Sequence, residues 1–359
     1  MGSKPLKDLI FKPRTLDGEF LRLFIKRVVD KAQRRNTILE PRISVKGRKR
    51  DEWEKLAKWV YAHKGELERP HLLWAVQVPR VYQVWHGRNV QSFGDLITNF
   101  FAPLFEATLK PEEHVELAWF LEQVGIIDTV DNEDKVDGYD LSTLPAAAGW
   151  TTKDNPPYGY YHFYFWANLC ALNKLRTAKQ LRPITLRPHG GEAGPVHHLA
   201  SAFLFAENIS HGINLIKEPT LEYLYYMAQI GCSVSPISNK ALFIPYTTNP
   251  FPLFFRRGLN VTLTTDDPLM FHMTPTPLLE EYASARLVWG LTMVDLCEIA
   301  HHSVFISSLT KERKAKLGKQ ETSNVPSIRF AFRKRQLELN KKVLGMASAL
   351  PLDLTPRGS

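Results

Sequence analysis

Seven short apolar or β-branched segments punctuate the chain: 42–46 (RISVK), 72–79 (LLWAVQVP), 126–131 (IIDTVD), 184–188 (ITLRP), 209–215 (ISHGINL), 232–237 (CSVSPI) and 259–266 (LNVTLTTD). Between them lie stretches whose apolar residues recur with helical spacing, including 50–61, 95–109, 158–178 and 218–230. Strands alternating with helices predict parallel βαβ units. Seven strands fall one short of a (β/α)8 barrel. A polar residue or a sharp turn closes most of them at the C-terminal end, where barrel enzymes place their chemistry. No repeat of roughly 20–50 residues is present, which excludes solenoids and propellers. The tail beyond Val325 keeps helical spacing to about Leu344. The expected division is a barrel over 1–330 and a C-terminal helix and tail over 331–359.

Composition narrows the class. Of 359 residues, 44% are hydrophobic and 23% charged, enough apolar material for a substantial core, which excludes disorder as the main state. Three cysteines, Cys170, Cys232 and Cys297, exclude a disulfide scaffold and fit a reducing compartment. No apolar run approaches the ~18 residues of a membrane span, and the N-terminus lacks a secretory stretch. A cytoplasmic (cytosolic) protein with no membrane partner is expected. The net charge of +9 favours anionic partners. Its basic runs, Lys46-Gly47-Arg48-Lys49-Arg50, 311–319 and Arg333-Lys334-Arg335, carry neither zinc-finger spacing nor an RNA-binding aromatic signature, so a solvated surface accounts for them. A basic nucleic-acid-binding protein is the disfavoured alternative.

The ends of the later strands carry the chemistry. After 184–188 comes His189-Gly190-Gly191-Glu192-Ala193-Gly194, where two glycines let the chain turn sharply and bring a Glu into the same mouth as the His. Glu192 is the only carboxylate of that loop. Ser210-His211-Gly212 falls in the next strand, where a buried structural histidine is the other reading. The last strand closes on Thr264-Thr265-Asp266-Asp267-Pro268. Adjacent carboxylates at a buried strand end are costly unless a cation compensates, although a helix N-cap would serve one of the two. Neutral imidazole and carboxylate suit Zn²⁺, which binds N and O ligands and lowers the pKa of its water toward ~7. A nearby Glu then acts as general acid and a second His as proton acceptor. His197 and His198 read as packing or surface groups, the aromatic run at 158–166 as a core helix, and Cys232 as a small hydrophobe.

The stretches LRPHGGEAGPVHH (186–198), AENISHG (206–212), SPISN (235–239), NPFPLFFRRGL (249–259) and TTDDPLMFH (264–272) resemble the AMP deaminase family, within the adenosine-deaminase group of metal-dependent hydrolases. Further matches are SVKGRKRDEWEKLAKW (44–59), WAVQVPR (74–80), PLFEAT (103–108), KDNPPYGYY (153–161) and EEYASA (280–285), in the family's order. The resemblance implies a TIM (β/α)8 barrel of the metal-dependent hydrolase type and zinc-dependent hydrolysis of AMP to IMP and ammonia. It implies His189 and Asp266 as zinc ligands and Glu192 as the group that contacts and protonates purine N1. His211 would be the proton acceptor that orients the attacking water. Asp267 would bind the purine, with Pro268, Leu269 and Met270 continuing the substrate-contacting stretch. A homo-oligomer, tetramer or dimer, is implied as well.

Two departures stand out. Met270 replaces the family's usual Gln. None of the 12 histidines forms the His-x-His pair that supplies two further zinc ligands on the family's first strand. The strand count and the family comparison thus find the same gap. A barrel apparently truncated before its first strand, holding zinc weakly through two ligands, is the expectation. A catalytically inactive member that binds nucleotide or regulates a complete subunit is the alternative.

Overall fold

The computed structural model describes residues 16–34, 37–133, 143–319 and 324–345. Eight strand pieces follow one another: β1 (Arg42–Ser44), β2 (Trp74–Pro79), β3 (Val124–Val130), β4 (Thr185–Leu186), β5 (His189–Gly190), β6 (Asn208–His211), β7 (Gly231–Val234) and β8 (Val261–Leu263). They form two four-stranded sheets, β1-β2-β3-β4 and β5-β6-β7-β8, in chain order and with every pair parallel. Strand order that never reverses is the barrel succession, not that of a doubly wound sheet.

The two sheets are halves of one run. Pro188 separates β4 from β5 and has no N–H to give the ladder. Arg187 N still donates to Ile127 O at 2.9 Å, and Ser210 N to Pro188 O at 2.9 Å, so the pairing passes from one sheet to the next without a gap in the chain. The seven strand segments read from the sequence are therefore seven strand positions. Among the described residues β1 and β8 each pair on one side.

Helices cover the strands. β3, β7 and β8 are buried almost throughout, which is why they read as continuous apolar runs instead of alternating ones. The helix expected over 95–109 begins at Phe93, because Ser92 and Asp95 close a capping box: Asp95 N donates to Ser92 Oγ at 3.0 Å and Ser92 N to Asp95 Oδ2 at 2.9 Å. The helix Tyr158–Ala178 buries Tyr158, Tyr161, Phe165, Leu169 and Leu172, one stripe at steps of three and four. That places Tyr158, Tyr161 and Phe165 of the aromatic run in the core, while Phe163 is exposed. The segment 209–215 stays extended only through His211. Gly212 turns left-handed at φ 79°, and Ile213–Lys217 continues as a 3₁₀ turn.

At the other end, the helix Ser327–Val343 straddles the boundary expected at residue 330. Arg329 and Arg333 on it grip buried Glu298 of the helix Met293–Ile306, with Arg333 Nε 3.0 Å from Glu298 Oε1. No described helix is long and apolar enough to cross a membrane.

Candidate active site

His189 opens β5, and the chain around it is shaped by close approach. Tyr158 Oη donates to His189 O at 2.7 Å, and a Cβ on Gly190 would lie 2.9 Å from that hydroxyl. Gly191, at φ 73°, is packed so tightly on Leu199 that a Cβ would fall 2.6 Å from it. Gly212 N donates to Gly190 O at 2.9 Å and Asn214 N to Gly191 O at 2.7 Å, which ties the turn to the end of β6. A second carboxylate enters this loop from the end of β3: Glu133 Oε2 accepts from Glu192 N at 2.8 Å. Glu192 is thus alone in its loop by sequence but not in space.

His211 ends β6 with φ 73°, and Asp266 lies three residues past β8 with φ 50°. Non-glycine residues in this left-handed region are strained, and such strain concentrates at functional sites. Both side chains turn to the same point. Ligand atoms of His189, His211 and Asp266 all lie within 4.8 Å of one another. The His189 and His211 rings are 5.2 Å apart between centroids. Ser238 Oγ donates to Asp266 Oδ2 at 2.5 Å, and Asn239 Nδ2 donates to Glu192 Oε1 at 2.6 Å.

The electrostatics divide the roles. Burial pushes the Glu192 carboxyl up to about 8, and the charges of Asp266 and Glu133 add to it. Burial likewise drives His211 down to about 3, aided by the charge of His189, so its imidazole is neutral. Burial alone would raise Asp266, but His211, the Ser238 hydroxyl, His189 and Arg42 outweigh it and hold the carboxyl below its ordinary range. One neutral acid, one bare imidazole and one firm carboxylate face each other. His211 Nδ1 is buried 3.4 Å from Glu192 Oε1 and makes no hydrogen bond. Two ring nitrogens and a carboxylate oxygen within 4.8 Å of one another, with His211 Nδ1 left unsatisfied, fit a cation that prefers N and O ligands.

Asp267 is exposed and stands outside this group, at the head of the one-turn helix Pro268–Phe271; Leu269 and Met270 are also exposed there. His198 is buried and stacks on Tyr158 with centroids 4.4 Å apart, while His197 is exposed. Cys232 is fully buried on β7.

Several site residues escaped the sequence reading: Asp128, Arg42, Glu133, Ser238 and Asn239. The signal for Asp128 was a carboxylate inside the apolar run 126–131. Asn239 and Ser238 sat in the quoted SPISN stretch without a role.

A family model described as AMP deaminase matches residues 1–347. The chain belongs to the AMP deaminase family. It is 45% identical over 347 residues to an Arabidopsis thaliana AMP deaminase, covering 92% of this chain and 41% of that protein. Rat AMP deaminase 3 is 43% identical over 349 residues, covering 93% of this chain and 45% of that protein. The chain thus spans under half the length of these family relatives. Among solved structures, Arabidopsis ADAL complexed with IMP matches at TM-score 0.53 and 14% identity, covering 88% of this chain and 79% of that one. The Arabidopsis N6-mAMP deaminase matches at TM-score 0.51 and 15% identity, covering 88% and 80%. At such identities these likenesses bear on the fold, and they carry the same α/β architecture.

Proposed function

We propose that this chain carries out the hydrolytic deamination of AMP to IMP and ammonia. One observation carries the reading: His189, His211 and Asp266 converge within 4.8 Å beside a Glu192 carboxyl held at about 8. The family's curated relatives bear the name of that activity.

Zn²⁺ fits the donor set, held by His189 and Asp266 with the His211 nitrogen in reach, and when bound it supplies a Lewis acid at the reacting water. The chain's own groups do the rest. Glu192, neutral at pH 7, contacts purine N1 and gives it a proton as C6 is attacked. Asn239 keeps that carboxyl turned inward. His211, neutral and buried, accepts the proton of the attacking water unless its nitrogen is taken by the metal. Asp267, with Pro268, Leu269 and Met270, lines the rim where the nucleotide enters. A homo-oligomeric assembly in the cytosol accompanies this reading.

The test is conversion of AMP to IMP by the purified chain with zinc supplied, followed by absorbance and by ammonia release. Turnover lost in Glu192→Gln supports the proposal. Nucleotide and zinc binding without turnover would instead leave an inactive nucleotide-binding member.

A further inference from the structure

Asp128 is fully buried in the middle of β3, where a well-packed hydrophobe would be the cheaper occupant. Its two oxygens are divided between two partners. Oδ1 lies 3.0 Å from His189 Nδ1, and Oδ2 accepts from Arg42 Nε at 2.6 Å. Arg42 begins β1, yet its side chain reaches further still. Its second terminal nitrogen donates to Ser210 Oγ at 2.7 Å. Ser210 is the register partner of His189 across the β5–β6 ladder. One guanidinium therefore binds side chains on the strands either side of His189, one of them on His189's own register line.

We propose that Arg42 and Asp128 form one positioning unit for His189, committing its Nδ1–H to Asp128 and leaving Nε2 as the nitrogen that faces a metal. The inference rests on the metal reading of the site. A neutral imidazole has one N–H and one bare nitrogen, so the partner of one decides the use of the other. An Asp128 without Arg42 would be a buried anion whose second oxygen has no partner, free to rotate away from the ring. The planar fork of arginine serves Asp128 and Ser210 from fixed angles at once, which a lysine ammonium on its flexible stem does not. Carboxylates that orient a ligating histidine contribute 10–100-fold to metal affinity.

The experiment uses Co²⁺, titrated into the purified chain and followed by visible absorption, with thermal melting alongside. Arg42→Met and Asp128→Asn are compared singly and together, with His189→Ala as the control. The double variant removes the paired charges together, so neither is left buried alone; Asp266 keeps His211, Ser238 and His189 beside it, and the chain melts near the wild-type temperature. Its cobalt affinity is expected to fall about 10–100-fold, and Asp128→Asn alone falls as far. Arg42→Lys does not restore it. Ser210→Ala, too mild to unfold the chain, gives a smaller loss in the same direction. A double variant that folds and binds cobalt as tightly as wild type overturns the proposal, since Arg42–Asp128 would then be a structural ion pair. Wild-type binding indistinguishable from that of His189→Ala overturns the metal reading itself, and this inference with it.

Discussion

Asn239 donates its side-chain amide to Glu192 Oε1 at 2.6 Å, and its own Oδ1 accepts from Asn249 at 3.4 Å. Two buried amides in series thus fix which Glu192 oxygen is the acceptor. A carboxyl held at about 8 is protonated at pH 7, and with Oε1 accepting, the acidic proton sits on Oε2. In the proposed reaction, the contact selects the Glu192 oxygen that acts as acid.

Asn239→Ala should therefore lower turnover without touching the metal. A neutral hydrogen bond contributes about 0.5–1.5 kcal/mol, so kcat for AMP is expected to drop roughly two- to tenfold with zinc content unchanged. Undiminished kcat would mean that the amide only fills space.

Glu192→Gln removes the proposed proton donor and keeps the shape. General acid catalysis is worth about 10²–10⁴-fold, and turnover should fall at least that far while zinc stays bound. In the wild-type chain, kcat/KM should decline as pH rises past about 8, because the acid is then ionised. Near-normal deamination by Glu192→Gln would remove this loop from the chemistry.

His189→Ala and Asp266→Ala should each strip zinc and activity together, measured by elemental analysis and AMP turnover. His211→Ala separates two roles. Its proposed role is proton acceptance, so this variant is expected to keep zinc and lose turnover; loss of zinc would make His211 a third ligand, its ring nitrogen lying within 4.8 Å of the other two ligand atoms. Stoichiometric zinc retained by His211→Ala with turnover abolished would assign it to proton acceptance alone.

Glu281 offers a pH effect on stability at a carboxyl that is not itself a proposed ligand. It is fully buried, bonded to His272 Nε2 at 3.0 Å and to Ile237 N at 3.2 Å, and burial pushes its carboxyl up to about 8, with Asp266 and Glu280 adding to it. Its unperturbed value is 4.5, so between about 4.5 and 8 the unfolded chain has released this proton while the folded chain keeps it. Rising pH removes stability across that window. Melting temperatures between pH 5 and pH 8 should fall less steeply in Glu281→Gln than in wild type; parallel curves would show that Glu281 titrates normally.

β1 and β8 each pair on one side among the described residues. Parallel strand edges left open invite association. Light scattering after size exclusion is expected to show a homo-oligomer, and a monodisperse monomer would refute that expectation.

Much of the architecture was legible in order along the chain. Buried parallel strands must be apolar on both faces, so 72–79, 126–131 and 232–237 announced themselves as runs, and the stripe Tyr158, Tyr161, Phe165, Leu169, Leu172 marked its helix by spacing alone. His189, Glu192, His211 and Asp266 were visible because strand-end chemistry needs polar residues beside glycine and turn signals. These are local properties, set by backbone geometry and side-chain type within a few residues. What joins Arg42 to Asp128 and Ser210 is not local: these residues are 86 and 168 positions from Arg42. Glu133 reaching the Glu192 loop is of the same kind, 59 positions away. No periodicity encodes such meetings. The strand order decided them by bringing neighbouring strand ends to one mouth, where burial then set Glu192 and His211 on opposite sides of neutral pH while leaving both uncharged.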